Sequence, residues 1–114
     1  MPHVILRGHA DLHRAWQQLP QGPWRLGNAV ARLEGCFLSA SQRELLLPAV
    51  VVEYGRPLHP VLSVSFREEA TAVHLWDVVK VERTEAVKGL VALVAGLLRE
   101  FGAGEVLTTN LKLP

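Results

Sequence analysis

Apolar residues change their spacing several times along this chain. Over residues 11–19 they fall at Leu12, Ala15, Trp16 and Leu19, the repeat of one helical face. Pro20, Gly22 and Pro23 then stop that helix, because neither residue type continues one comfortably. From Asn28 to Val81 the period shortens to two, which predicts strands. Four segments stand out, 29–39, 44–54, 61–67 and 71–81, joined by the short links 41–42, 55–60 and 68–70. Links of that length suit hairpins rather than crossovers, so the sheet is expected to be antiparallel. Residues 3–7 form a short apolar run fit for a first strand, and 105–113 alternates again as a last one.

The helical period returns after Thr84. Its hydroxyl is placed to cap a helix, and Glu85 in the first turn complements the helix dipole. Val87, Leu90, Val91, Val94, Leu97, Leu98 and Phe101 make a broad apolar stripe, and Gly102 stands where a left-handed cap is expected. Together these elements predict an α+β fold. Its core is an antiparallel meander of four to six strands, with a long C-terminal helix on one face and a short N-terminal helix.

One register follows from the pattern. Pairing Phe66 with Thr71 sets Val64 against Val73 and Leu62 against Leu75, on the face the long helix covers; a slip by one residue scatters this apolar set. The opposite face then carries Ser63, Ser65, His74, Trp76 and Val78. Residues 45–52 are apolar on both parities, as in a strand buried on both sides. That second face therefore asks for a cover. Two are weighed: the first helix with Trp16 as anchor, or a second copy of the chain, since two-fold homodimers are the commonest assembly.

Composition adds limits. The 114 residues suit one domain, 1–114, and 49% hydrophobic against 20% charged is a globular balance. The net charge of +1 and the lack of a basic run argue against nucleic acid as a partner. The start of the chain lacks the apolar core of a signal peptide, and the run around residues 90–98 is too short to span a bilayer. A soluble, cytoplasmic protein is the expectation, with no membrane partner. Arginine outnumbers lysine and asparagine is rare, a weak pointer to a GC-rich or thermophilic source. The one cysteine, Cys36, excludes an intrachain disulfide and a cysteine zinc site. It reads as a small buried hydrophobe, with Gly35 beside it a bulge or a point of close approach.

Candidate chemistry is sparse. The phosphate-binding glycine loop, the nucleophile elbow, the calcium loop and the metalloprotease signature are all missing from the sequence. His9 and His13 stand at i and i+4 and share a face if both are helical, with His3 as a third candidate ligand, but two exposed polar residues are the simpler reading and no metal is assigned. His74, beside Ser63 under this register, reads as a core histidine satisfied by the serine. The richest segment is the link 54–60, Tyr-Gly-Arg-Pro-Leu-His-Pro. In a meander, alternate connections share one end of the sheet, so Trp24, Asn28, Tyr54, Arg56, His59 and Glu82 are expected to converge as a ligand site. Arg56 would hold an anionic group there and His59 would act as acid or base.

Two functions compete. The first is a non-catalytic domain that self-associates, or binds a protein partner, through His74, Trp76 and Val78. The second is a protein that binds a small anionic ligand, or a modest enzyme, using the 54–60 end. No catalytic residue and no cofactor is assigned.

Overall fold

The computed structural model describes residues 1–111. The first strand is β1 (His3–Arg7), followed by α1 (Leu12–Gln18). Asp11 caps α1, its carboxylate accepting from the Arg14 N–H. The meander comprises β2 (Trp24–Leu26), β3 (Ala29–Leu33), β4 (Phe37–Leu38), β5 (Glu44–Glu53), β6 (Arg56–Leu58), β7 (Val61–Arg67) and β8 (Ala70–Leu75). Helix α2 (Glu85–Leu98) follows, then a 3-10 turn (Arg99–Phe101) and β9 (Val106–Thr109). The fold is α+β, with an antiparallel sheet and one long helix.

The strand order is β2-β3-β5-β7-β8-β1-β9, with β4 and β6 also paired to β5. The first and last strands thus add beyond β8, with β1 between β8 and β9. The expected register is the observed one: Leu62 faces Leu75, Ser63 faces His74, Val64 faces Val73 and Phe66 faces Thr71.

Pro48, in the middle of β5, explains why the strand expected over 29–39 is divided. Glu34 N–H donates to the Pro48 carbonyl at 2.7 Å. In an antiparallel strand a residue's nitrogen points to the same side as its carbonyl, so Pro48 presents a nitrogen without hydrogen to the neighbour there. That neighbour breaks at residues 34–36, dividing β3 from β4. On the other side the chain breaks at 59–60, dividing β6 from β7, and Pro60 keeps contact by accepting from the Ala49 N–H. Gly35 lies in the first break, and a Cβ there would stand 3.1 Å from the Phe37 ring. It is a point of close approach, as its place in the sequence suggests.

The segment read as one strand over 71–81 ends at Leu75. Trp76 N–H makes a last bond to the Val61 carbonyl, and beyond Val61 lies Pro60, which cannot donate. Val78 consequently sits in a turn, 68% exposed, and not on the sheet face. The final strand stops at Thr109, and residues 112–113 of the expected strand lie outside the described residues.

Both helices pack on the same face. Thr84 caps α2, its hydroxyl accepting from the Val87 N–H, and Gly102 takes φ 102° after the last turn. Val87, Leu90, Val91, Val94 and Leu98 join Val4, Leu6, Leu45, Leu47, Val51, Leu62 and Val64 in one core. Leu12, Ala15 and Leu19 of α1 and its flank belong to the same core. Trp16 points away, 44% exposed. Of the two covers considered for the second face, α1 is therefore not the one. Its Leu12–Ala15–Leu19 stripe is the more apolar side, and it follows the existing core.

Thr71 is the buried polar residue on which the packing of α1 turns. Its hydroxyl donates to the Gly8 carbonyl at 2.7 Å and accepts from the Ala10 N–H at 3.0 Å, tying β8 to the segment that leads into α1. Thr71→Val keeps the shape and leaves both backbone groups unpaired. We expect a loss of about 1–3 kcal/mol in urea unfolding, against about 2–5 kcal/mol for Leu90→Ala in the core.

Candidate functional site

The residues expected to converge do so only in part. Glu53 pairs with Arg56 across a two-residue turn in which Tyr54 has φ 53° and Gly55 φ 74°. Positive φ at both positions matches the natural twist of a hairpin, and glycine or asparagine adopts it at least cost. Tyr54 is neither, and it is 83% exposed. Asn28, in the turn between β2 and β3, lines an open recess of about 370 Å³ with Glu53, Tyr54 and Glu85 above Leu26 and Gly89. Arg56 forms an exposed ion pair with Glu82. Asn28, Tyr54, Arg56 and Glu82 thus share one end of the sheet.

Trp24 and His59 do not join them. Trp24 faces Ala31 at the far end of the β2–β3 hairpin, half-buried against the core. His59 lies in the break opposite Pro48, where its Nδ1 is 3.7 Å from Glu34 Oε1. Two acidic residues, Glu53 and Glu85, line the recess, while the guanidinium of Arg56 is engaged by Glu82.

The remaining candidates have structural surroundings. His9 precedes α1 and does not share its face with His13. Its ring stacks on Phe66 at 4.0 Å between centroids, and Nε2 donates to the Glu68 carbonyl. Among the described residues no group of three His, Cys, Asp or Glu could hold a metal. His74 does not bond Ser63; its Nδ1 donates instead to the Leu75 carbonyl at 2.8 Å. Cys36 is half-buried, and burial pushes its thiol up to about 11.

The larger feature is the uncovered sheet face. Ladder by ladder, the side chains opposite the helices form rows across the strands. One row runs Arg25, Val30, Val52, Pro57. Two shorter rows follow, Arg32 with Val50, and Pro48 with Val61 and, through its hydrogen bond, Trp76. A further row runs Phe37, Leu46, Ser63, His74, His3. Val30 is 43% and Val52 40% exposed, and with Val50 and Pro23 they line a groove of about 330 Å³. Of the three interface candidates, His74 and Trp76 lie on this face and Val78 does not. The valines of β3 and β5 were visible in the sequence only as the second apolar parity of a strand. The pairing of His3 with His74 was not foreseen, because the place of β1 beside β8 has no local signal.

Compared with known proteins, the chain matches no family model, no curated protein and no solved structure. Among the described residues no helix is long and apolar enough to cross a membrane.

Two measurements check these surroundings. Cys36 alkylation by iodoacetamide, followed by mass spectrometry, is expected to run roughly 100-fold slower at pH 8 in the folded chain than in urea, since the thiolate reacts. The folded form favours the neutral thiol, so its contribution to stability is intact below about pH 9 and falls as pH rises towards 11. Tyr54→Asn is expected to raise the melting free energy by roughly 0.5–1 kcal/mol, because asparagine accepts positive φ more readily.

Proposed function

We propose that this chain is a non-catalytic domain that self-associates through the uncovered face of its sheet. The observation that carries the reading is the apolar sector Val30, Val50, Val52, Pro48, Leu46 and Val61 on the side of the sheet away from the helices, with Val30 and Val52 exposed and the others half-buried. Four strands at ~4.8 Å spacing and the ten-residue length of β5 give this face roughly 650 Å². Two copies face to face would bury roughly 1,300 Å², within the range of specific interfaces. Sheets stack in this way at about 10 Å, with their inner side chains interdigitated.

Edge pairing is the other route by which sheets associate, and the two end strands of the main order are blunted. Strand β2 has three residues, follows Pro20 and Pro23, and exposes Arg25. Strand β9 carries a register shift against β1, with Leu107 as the extra residue. An anionic-ligand site at the 54–60 end finds less support, because Arg56 is paired with Glu82 and His59 lies elsewhere.

Sedimentation velocity on the full chain tests the reading. A dimer is expected at tens of micromolar, and Val50→Asp with Val52→Asp is expected to give a folded monomer. A monomer at every concentration, or a dimer indifferent to those changes, rejects the outer face as the interface.

A further inference from the structure

His3 and His74 stand opposite each other across the β1–β8 ladder, on the open face of the sheet. They are directly opposed partners in the β1–β8 ladder, where facing side chains start about 4.5–5.5 Å apart at Cβ. Both are half-buried, flanked along their strands by Ile5 and Trp76. Each ring is held the same way. His3 Nδ1 lies 3.0 Å from the Met1 carbonyl, and His74 Nδ1 lies 2.8 Å from the Leu75 carbonyl. A carbonyl only accepts, so each Nδ1 carries a hydrogen, and in the neutral imidazole the lone pair is then on Nε2. The surroundings stiffen this arrangement: Asn110 Oδ1 accepts from the His3 backbone N–H, and Asn110 Nδ2 donates to the same Met1 carbonyl.

Two imidazoles on adjacent strands, with tautomers set by backbone acceptors and no partner on Nε2 among the described residues, have the outer-shell arrangement that metal-binding histidines use. We propose that His3 and His74 bind a divalent transition metal of the zinc class through their Nε2 atoms. Imidazole nitrogen suits zinc, cobalt, nickel and copper, whereas magnesium and calcium require oxygen. Two neutral ligands leave two tetrahedral positions, filled by water or by the same histidine pair of a second copy. The site does not depend on self-association, and its stoichiometry reports on it.

The test uses tag-free, full-length chain titrated with Zn²⁺ by calorimetry, with Mg²⁺ as a control. Co²⁺ absorption serves as a signature of tetrahedral nitrogen ligation. Saturable Zn²⁺ uptake is expected. His3→Gln and His74→Gln should each weaken it by at least about tenfold, with the Co²⁺ band lost, while His59→Gln leaves both readouts unchanged. His74→Gln is decisive because it separates this site from any chelation by the chain terminus. Thermal melts without metal confirm that each variant folds. One Zn²⁺ per chain assigns the remaining positions to water; one per two chains assigns them to the second copy. Absence of saturable uptake, or uptake that survives His74→Gln in a folded chain, overturns the proposal.

Discussion

The fold depends on a missing hydrogen. Pro48 stands at the centre of the longest strand, where every other residue type donates to its neighbour. Lacking that bond, β5 cannot hold one continuous partner on that side, and the chain there divides into β3 and β4. Pro60, opposite, divides the partner on the other side. The two halves of β5 are thus free to bend relative to one another. The inner side chains Leu45, Leu47, Ala49 and Val51 stay 0–1% exposed through the bend. A curled sheet wraps a helix better than a flat one, and α2 lies in the resulting hollow with α1 beside it.

Much of this was legible in the chain. The β7–β8 register followed from matching apolar parities, because any slip exposes the set. Helix α2 followed from its stripe and its Thr84 and Gly102 caps. The short strands were hidden for opposite reasons. Residues 24–26 and 56–58 are too short to show a period, and 56–58 contains Pro57, which reads as loop. The side taken by α1 was also hidden. A helical pattern says which stripe is apolar, but not on which face of a distant sheet it lands.

The candidate site was legible to the extent that meander geometry governs it. Asn28, Tyr54, Arg56 and Glu82 share an end because the turns holding Asn28 and Tyr54 close the same end of neighbouring hairpins, and Glu82 follows the strand that returns there. Trp24 and His59 fall away because each lies several residues from that end, Trp24 across a short hairpin and His59 at the break beside Pro60. Sequence adjacency in the link 54–60 suggested one functional unit. The strand β6 inside that link separates Arg56 from His59 and gives each its own carboxylate, Glu82 and Glu34.

The one-sidedness of the core bears on function. An isolated sheet with one wet face is expected to alternate apolar and polar side chains. Here the wet parity of β3 and β5 holds Val30, Leu46, Val50 and Val52, while the two end strands carry the devices that prevent strand addition. On the proposed reading, blunted end strands and a broad apolar face favour association through that face. The histidine pair lies in the same row as Leu46 and Ser63. A metal held there would sit on the surface that a second copy would cover, so metal and partner would compete for the face or complete one another on it.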